Sequence, residues 1–204
     1  MADRPPRPGP GEITGLVLAG GQGQRMGGSD KGLVELDGEP LVAHVVRRFA
    51  PQVSAVLISA NRHPERYAGY GADVIADTLP DYPGPLAGIL SGLRAARTGW
   101  LAVVPCDAPF LAADVVTRLA AALTTPHGIA VARAAGEPQP VFALIPVMIA
   151  DTLDAFLARG ERKIMRWYAE HPLDEADCED VSDSFMNVNT PAELAAAQAA
   201  LRRA

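Results

Sequence analysis

The stretch Ile13-Thr-Gly-Leu-Val-Leu-Ala-Gly-Gly-Gln-Gly-Gln-Arg-Met-Gly-Gly-Ser-Asp-Lys31 changes character halfway along. Ile13 to Ala19 is a short apolar run bounded by glycines, the pattern of a buried β-strand. Glycines 20, 21 and 23 follow at once and let the backbone bend tightly and approach a ligand closely. Main-chain N–H groups in such a loop can cradle phosphate oxygens, and Arg25 and Lys31 add positive charge nearby. The loop matches neither of two common phosphate-binding patterns. Gly23-Gln-Arg-Met-Gly-Gly28 is followed by Ser29 where a Walker A motif has Lys, and Met26 stands where a dinucleotide fingerprint has its third glycine.

The same alternation of strand and helix continues beyond the loop. Val53 to Ser59, Asp73 to Ala76 and Trp100 to Val104 read as further strands, with Gly128 to Ala132 and Val141 to Ile145 later, the last of them a candidate antiparallel strand. Between them lie helical stripes: Leu41, Val45 and Phe49, then Leu86, Ile89, Leu90 and Leu93, then Val115, Val116, Leu119 and Leu123. Thr190, Pro191 and Glu193 form a clear helix start, with N-cap, first-turn proline and capping-box acid in order. The pattern predicts an α/β fold: a mostly parallel sheet with helices on both faces. Such sheets bind ligands beyond the C-terminal ends of their strands, so functional residues are expected just after strands.

Composition narrows the function. Of 204 residues, 49% are hydrophobic and 21% charged, as in an ordinary globular domain. Met1 to Gly11, rich in proline and without an apolar core, reads as a disordered tail and not a signal peptide; residues 12–204 read as one domain. Val141 to Ala150, the longest apolar stretch, is interrupted by Pro146 and is too short for a membrane span. A net charge of −6 argues against a nucleic-acid surface, which needs a basic patch, but not against a single nucleotide. Cys106 and Cys178 make no CxxC pair and suit a reducing compartment, here expected to be the cytoplasm. Only Lys31 and Lys163 are lysines among 18 Lys and Arg residues.

Three further segments follow predicted strands or precede the last helix. Asp107, in Val103-Val-Pro-Cys-Asp107, can bind Mg²⁺ and so hold a triphosphate, or it can cap the next helix. Asp77 opens the Pro- and Gly-rich loop 77–88, where it can accept hydrogen bonds from a base or ribose, or simply begin a helix-entry loop. Asn187 and Asn189 can serve a ligand or satisfy backbone beside the final helix. The four histidines show no metal-ligand spacing, and His44, facing away from its helix's apolar stripe, is expected at the surface.

Taken together, LAGGQGQRMGGSDKGL (18–33), SANRH (59–63), YPGPLAGI (82–89), PCDAPF (105–110), GERKIM (160–165) and NVNTPAEL (187–194) make the chain resemble the molybdenum cofactor guanylyltransferase family. That family is similar to the wider group of nucleoside-triphosphate transferases with a Rossmann-like, nucleotide-diphospho-sugar transferase-like fold. The resemblance implies transfer of GMP from GTP to molybdopterin carrying molybdenum, with Mg²⁺ as cofactor. It implies that Leu18, Ala19, Gly20 and Gly21 contact GTP, that Lys31 binds phosphate, that Asp77 contacts the nucleotide, and that Asp107 binds GTP and metal. Arg25, Lys31 and Asp107 are the expected catalytic residues. Arg162, Lys163, Asn187 and Asn189 are expected on the molybdopterin side, and apo-enzymes or their chaperones are expected to receive the product. Ser59 is also expected to bind the nucleotide, with one departure: the family has Asn at that position, and serine keeps a donor and an acceptor on a shorter arm, with Asn61 set outside that contact. A molybdopterin cytidylyltransferase or another sugar-phosphate nucleotidyltransferase is the nearest alternative. A nucleotide-binding regulator without catalysis and a cofactor carrier are others.

Overall fold

The computed structural model describes residues 7–19, 30–77 and 84–202. In chain order its elements are β1 (Ile13–Leu18), β2 (Glu35–Leu36), β3 (Glu39–Pro40), α1 (Leu41–Phe49), β4 (Ala55–Ser59), α2 (Pro64–Tyr67), β5 (Asp73–Ile75), α3 (Pro85–Ala95) and β6 (Trp100–Pro105). There follow α4 (Val115–Ala122), β7 (Ile129–Ala134), β8 (Glu137–Pro146), α5 (Ala150–Ala158), α6 (Ile164–Tyr168), β9 (Leu173–Asp177) and α7 (Pro191–Leu201). Seven strands form one sheet in the order β5-β4-β1-β6-β8-β7-β9, and β2 pairs with β3 in a separate hairpin. Among the described residues, only β8 runs antiparallel to its neighbours in the large sheet.

Both faces of the sheet are covered because successive side chains on its strands point to opposite sides. Val17, Ile58, Ala102 and Val104 join one buried cluster with Val45 and Phe49 of α1 and Val116 and Leu119 of α4. Leu16, Leu57, Leu101 and Val103, each one residue away, join the other with Ile89 and Leu93 of α3 and Leu153 and Phe156 of α5. Each such large apolar side chain contributes roughly 1.5–3 kcal/mol by leaving water. Two glycines allow the layers to close. A Cβ at Gly15 would lie 2.6 Å from Cε1 of Phe49, and one at Gly92 would lie 2.6 Å from Cδ2 of Leu16.

A smaller cluster of Leu36, Leu41, Val188 and Ala197 ties the β2–β3 hairpin to α7. It brings the end of the chain back beside the turn that carries Lys31. Chain order reverses between β1 and β6: β4 and β5 lie on one side of β1, and the chain then crosses to β6 on the other. Leu18 pairs with both Ser59 and Pro105, so the C-terminal ends of β4, β1 and β6 stand side by side. This reversal is where sheets of this kind hold ligands.

Several elements went unpredicted. The β2–β3 hairpin, α2 and α6 are too short to show a period. Edge strand β9 is Leu173-Asp-Glu-Ala-Asp177, with only Ala176 buried, so it carries little apolar alternation. Helix α5 follows β8 after a single 3₁₀ turn, so its apolar residues continue those of the strand. His44 is buried, not at the surface: the hairpin covers that side of α1, and His44 Nε2 lies 3.0 Å from the Leu36 carbonyl oxygen. Part of the proline-rich start is packed on the domain, with Pro8 buried and Pro10–Glu12 forming a 3₁₀ turn; residues 1–6 lie outside the described residues. Among the described residues, no helix is long and apolar enough to cross a membrane.

Candidate active site

The chain leaves β6 at Pro105 and turns through Cys106 to Asp107, whose side chain is almost wholly buried. Asp107 does not cap the following helix; α4 begins eight residues later with Asp114 at its N-cap. Asp107 Oδ2 instead accepts from Lys31 Nζ at 2.7 Å. Lys31 opens a 3₁₀ turn over Lys31–Leu33 and also donates to Asn189 Oδ1. Asn189 is held by the start of α7: its N–H donates to Glu193 Oε2 at 2.6 Å, while Thr190 Oγ1 caps the helix by accepting from Glu193 N at 3.2 Å. The Val188 N–H in turn donates to the Asp107 carbonyl at 2.8 Å. Three segments distant in sequence thus converge on one ammonium group.

Two side-chain oxygens of these segments have unused capacity. Asp107 Oδ1 and Asn187 Oδ1 are buried and have no hydrogen-bond partner among the described residues. A bare buried carboxylate oxygen is costly, and a hard cation bound to phosphate oxygens removes that cost. The donor set therefore fits a divalent metal that takes one protein carboxylate and completes its shell from a ligand. Among the described residues no cluster of three His, Cys, Asp or Glu side chains offers an all-protein cage. Burial, and next to it the charge of Asp107, push the Cys106 thiol far above its ordinary range, so it remains a neutral wall of the site.

A second group lies after β4 and β5. Ser59 Oγ donates to Asp77 Oδ1 at 2.9 Å, and Asn61 Nδ2 donates to Asp77 Oδ2 at 2.7 Å. Asn61 Oδ1 also accepts from the Asp77 N–H at 2.8 Å. Asn61 is therefore part of this group, correcting the expectation that set it apart. Ser59 is 1% exposed and sits behind Asp77, which is half-buried. The shorter serine arm thus orients the carboxylate that remains accessible.

Leu18 and Ala19 lie at the end of β1, where the Leu18 carbonyl accepts from Cys106 N at 3.0 Å and Ala19 N donates to the Ser59 carbonyl at 2.9 Å. Gly20, Gly21 and Arg25 lie outside the described residues. Arg162 and Lys163 stand on the exposed turn between α5 and α6, where Arg162 donates to the Leu157 and Glu161 carbonyls. The structure brings together Lys31, Asp107 and Asn189, and separately Ser59, Asn61 and Asp77. Sequence reading named five of these six for the site; Asn61 was visible only as part of the SANRH segment.

The MobA-like NTP transferase domain model matches residues 15–175. The molybdenum cofactor guanylyltransferase of Burkholderia orbicola (strain MC0-3) is 51% identical, with 94% of this chain and 98% of that protein covered. The protein of the same description from Vibrio cholerae serotype O1 is 47% identical, with 91% of each chain covered. Among solved structures, the molybdopterin-guanine dinucleotide biosynthesis protein A of Archaeoglobus fulgidus superposes with a TM-score of 0.78 at 25% identity, covering 94% of this chain and all of that one. The 4-diphosphocytidyl-2C-methyl-D-erythritol synthase of Anaerococcus prevotii shares the fold at 12% identity and a TM-score of 0.75, over 95% and 97% of the two chains. With a sheet reversal flanked by a lysine–aspartate pair, a domain match over most of its length and relatives near half identity, the chain belongs to the molybdenum cofactor guanylyltransferase family of MobA-like NTP transferases.

Proposed function

We propose that this protein transfers GMP from GTP to the terminal phosphate of molybdopterin carrying molybdenum, yielding molybdopterin guanine dinucleotide and pyrophosphate. The observation that carries the reading is the 2.7 Å Lys31–Asp107 pair at the sheet reversal, with Asp107 Oδ1 buried beside it and unpartnered among the described residues. Residues 12–204 act as one nucleotidyltransferase domain working in the cytoplasm, a setting that suits the free, buried thiols of Cys106 and Cys178.

An oxygen of the molybdopterin phosphate forms a bond to the α-phosphorus of GTP, and the bond from that phosphorus to the β-phosphate bridging oxygen breaks. The phosphate nucleophile is already ionised near neutral pH, so the site needs no general base. Its work is positioning and charge neutralisation. Lys31 places one ammonium against the phosphates, and Asp107 and Asn189 set its direction. Asp107, with Asn187 as a further oxygen donor, would hold Mg²⁺, which when bound supplies positive charge to the triphosphate. Asp77, oriented by Ser59 and Asn61, accepts from the nucleoside. Leu18, Ala19, Gly20 and Gly21 contact GTP, and Arg25 acts with Lys31 as a catalytic cation. Asn187, Asn189, Arg162 and Lys163 face the molybdopterin, and apo-enzymes or their chaperones take the product.

The test is product analysis after mixing the protein with molybdenum-loaded molybdopterin, Mg²⁺ and either GTP or CTP. The expected result is a guanine dinucleotide formed with GTP alone. Product with CTP alone would keep the mechanism and overturn the base assignment; no product with either would overturn the function.

A further inference from the structure

Tyr67 ends the four-residue helix α2, outside every loop assigned to substrate. It is fully buried, and its hydroxyl donates to Oδ1 of Asp30. Asp30 immediately precedes Lys31 and opens its turn, accepting at its carbonyl from Leu33 N at 3.0 Å. The phenol also packs on the other side of Lys31, since a Cβ at Gly32 would come within 2.6 Å of Tyr67 Oη. One side chain thus grips the residues before and after the lysine.

We propose that Tyr67 is a positioning residue whose hydroxyl, through Asp30, aims Lys31 at Asp107 and Asn189. The inference rests on the assignment of Lys31 to the phosphates of the nucleotide. A lysine ammonium rides on a flexible four-carbon stem, so its direction depends on where its backbone is fixed. Phenylalanine would fill the same space, so packing alone does not call for a hydroxyl. A buried hydroxyl must find a partner, and a carboxylate acceptor makes the bond charge-assisted. Burial, and after it the bond to Asp30, push the Tyr67 phenol well above its ordinary range, so it remains a donor at neutral pH.

The experiment is steady-state kinetics of wild type, Tyr67→Phe, Asp30→Ala, Asp30→Asn and the Tyr67→Phe/Asp30→Ala double variant, with thermal melts to verify folding. Tyr67→Phe is expected to keep its fold and a KM for GTP within about twofold of wild type, because the lost alignment matters most in the transition state. Its kcat is expected to fall roughly 10-fold, the size of one hydrogen bond to a charged group. Asp30→Asn, which retains an oxygen acceptor, should recover most of the loss seen in Asp30→Ala. The double variant should be no slower than the slower single variant, as for two residues acting through one bond. Wild-type kcat in a folded Tyr67→Phe protein, or single losses that multiply in the double variant, overturns the role of Tyr67 alone. A wild-type protein that forms no dinucleotide overturns both this role and the function beneath it.

Discussion

Asp107 divides its two oxygens between different tasks, and its replacement tests both. Oδ2 holds Lys31, while Oδ1 is buried without a partner among the described residues. Asp107→Ala removes the counter-ion of Lys31 and the proposed metal ligand together, and turnover at saturating GTP and Mg²⁺ is expected to fall at least ~100-fold, as for other key electrostatic groups. Near-normal turnover would remove Asp107 from the mechanism. Asn61 tests the proposed nucleoside end. It makes two of the hydrogen bonds that orient Asp77 and lies away from the Lys31–Asp107 pair. Asn61→Ala should therefore raise KM for GTP roughly 5- to 10-fold with kcat nearly unchanged, the signature of lost ground-state binding. A fall in kcat at constant KM would instead tie Asn61 to the chemical step.

Helix α7 shows how an element's start can serve a site. Thr190 satisfies the Glu193 N–H in its first turn, and the Glu193 carboxylate fixes the backbone of Asn189, whose side chain accepts from Lys31. Thr190→Ala is expected to cost about 1 kcal/mol of stability, the usual worth of an N-cap, measured by urea unfolding. The Glu193 carboxyl is held below its ordinary value of 4.5, first by the Asn189 N–H. Because its folded pKa is depressed, its contribution is fully present above about 4.5 and disappears as pH falls through the lower folded value. Glu193→Gln should thus be less stable than wild type at pH 7, and the gap should close in strong acid. A gap that is constant across this range would show that the carboxylate charge plays no part in the cap.

The two faces of the sheet close over glycines at different places. Gly15 lies under Phe49 and Val53 in one cluster, and Gly92 against Leu16 and Leu101 in the other, so the side chains they press on lie on opposite faces of the sheet. Alanine at either position forces large side chains off their packed arrangement, at a cost of about 1–3 kcal/mol each. Because the contacts are separate, the losses should add in the Gly15→Ala/Gly92→Ala double variant to within about 0.5 kcal/mol, as read from urea midpoints. A strongly non-additive result would mean that the two faces of the core yield together.

Local pattern predicts β1, β4 and β6 as short apolar runs and the helices α1, α3, α4 and α7, and it offers β8 as a candidate antiparallel strand. Each of these rests on a short apolar run between turn residues, on apolar residues repeating about every 3.6 positions, or on caps within a few residues of one another. The glycine-rich loop and the polar residues after strands were readable for the same reason. Short or acidic elements such as α2 and β9 carried no such repeat. The burial of His44 is not legible in the sequence either, because the hairpin that covers it contributes only two residues per strand. What the linear chain does not contain is which distant residues meet. Lys31 reaches Asp107 across 76 positions and Asn189 across 158, and Tyr67 reaches Asp30 across 37. Those meetings depend on β6 lying beside β1 and on α7 docking against the hairpin, and packing of the whole core selects both. Residue types and their spacing therefore specify the elements and the kind of chemistry, while the order of strands in the sheet specifies which side chains share the site.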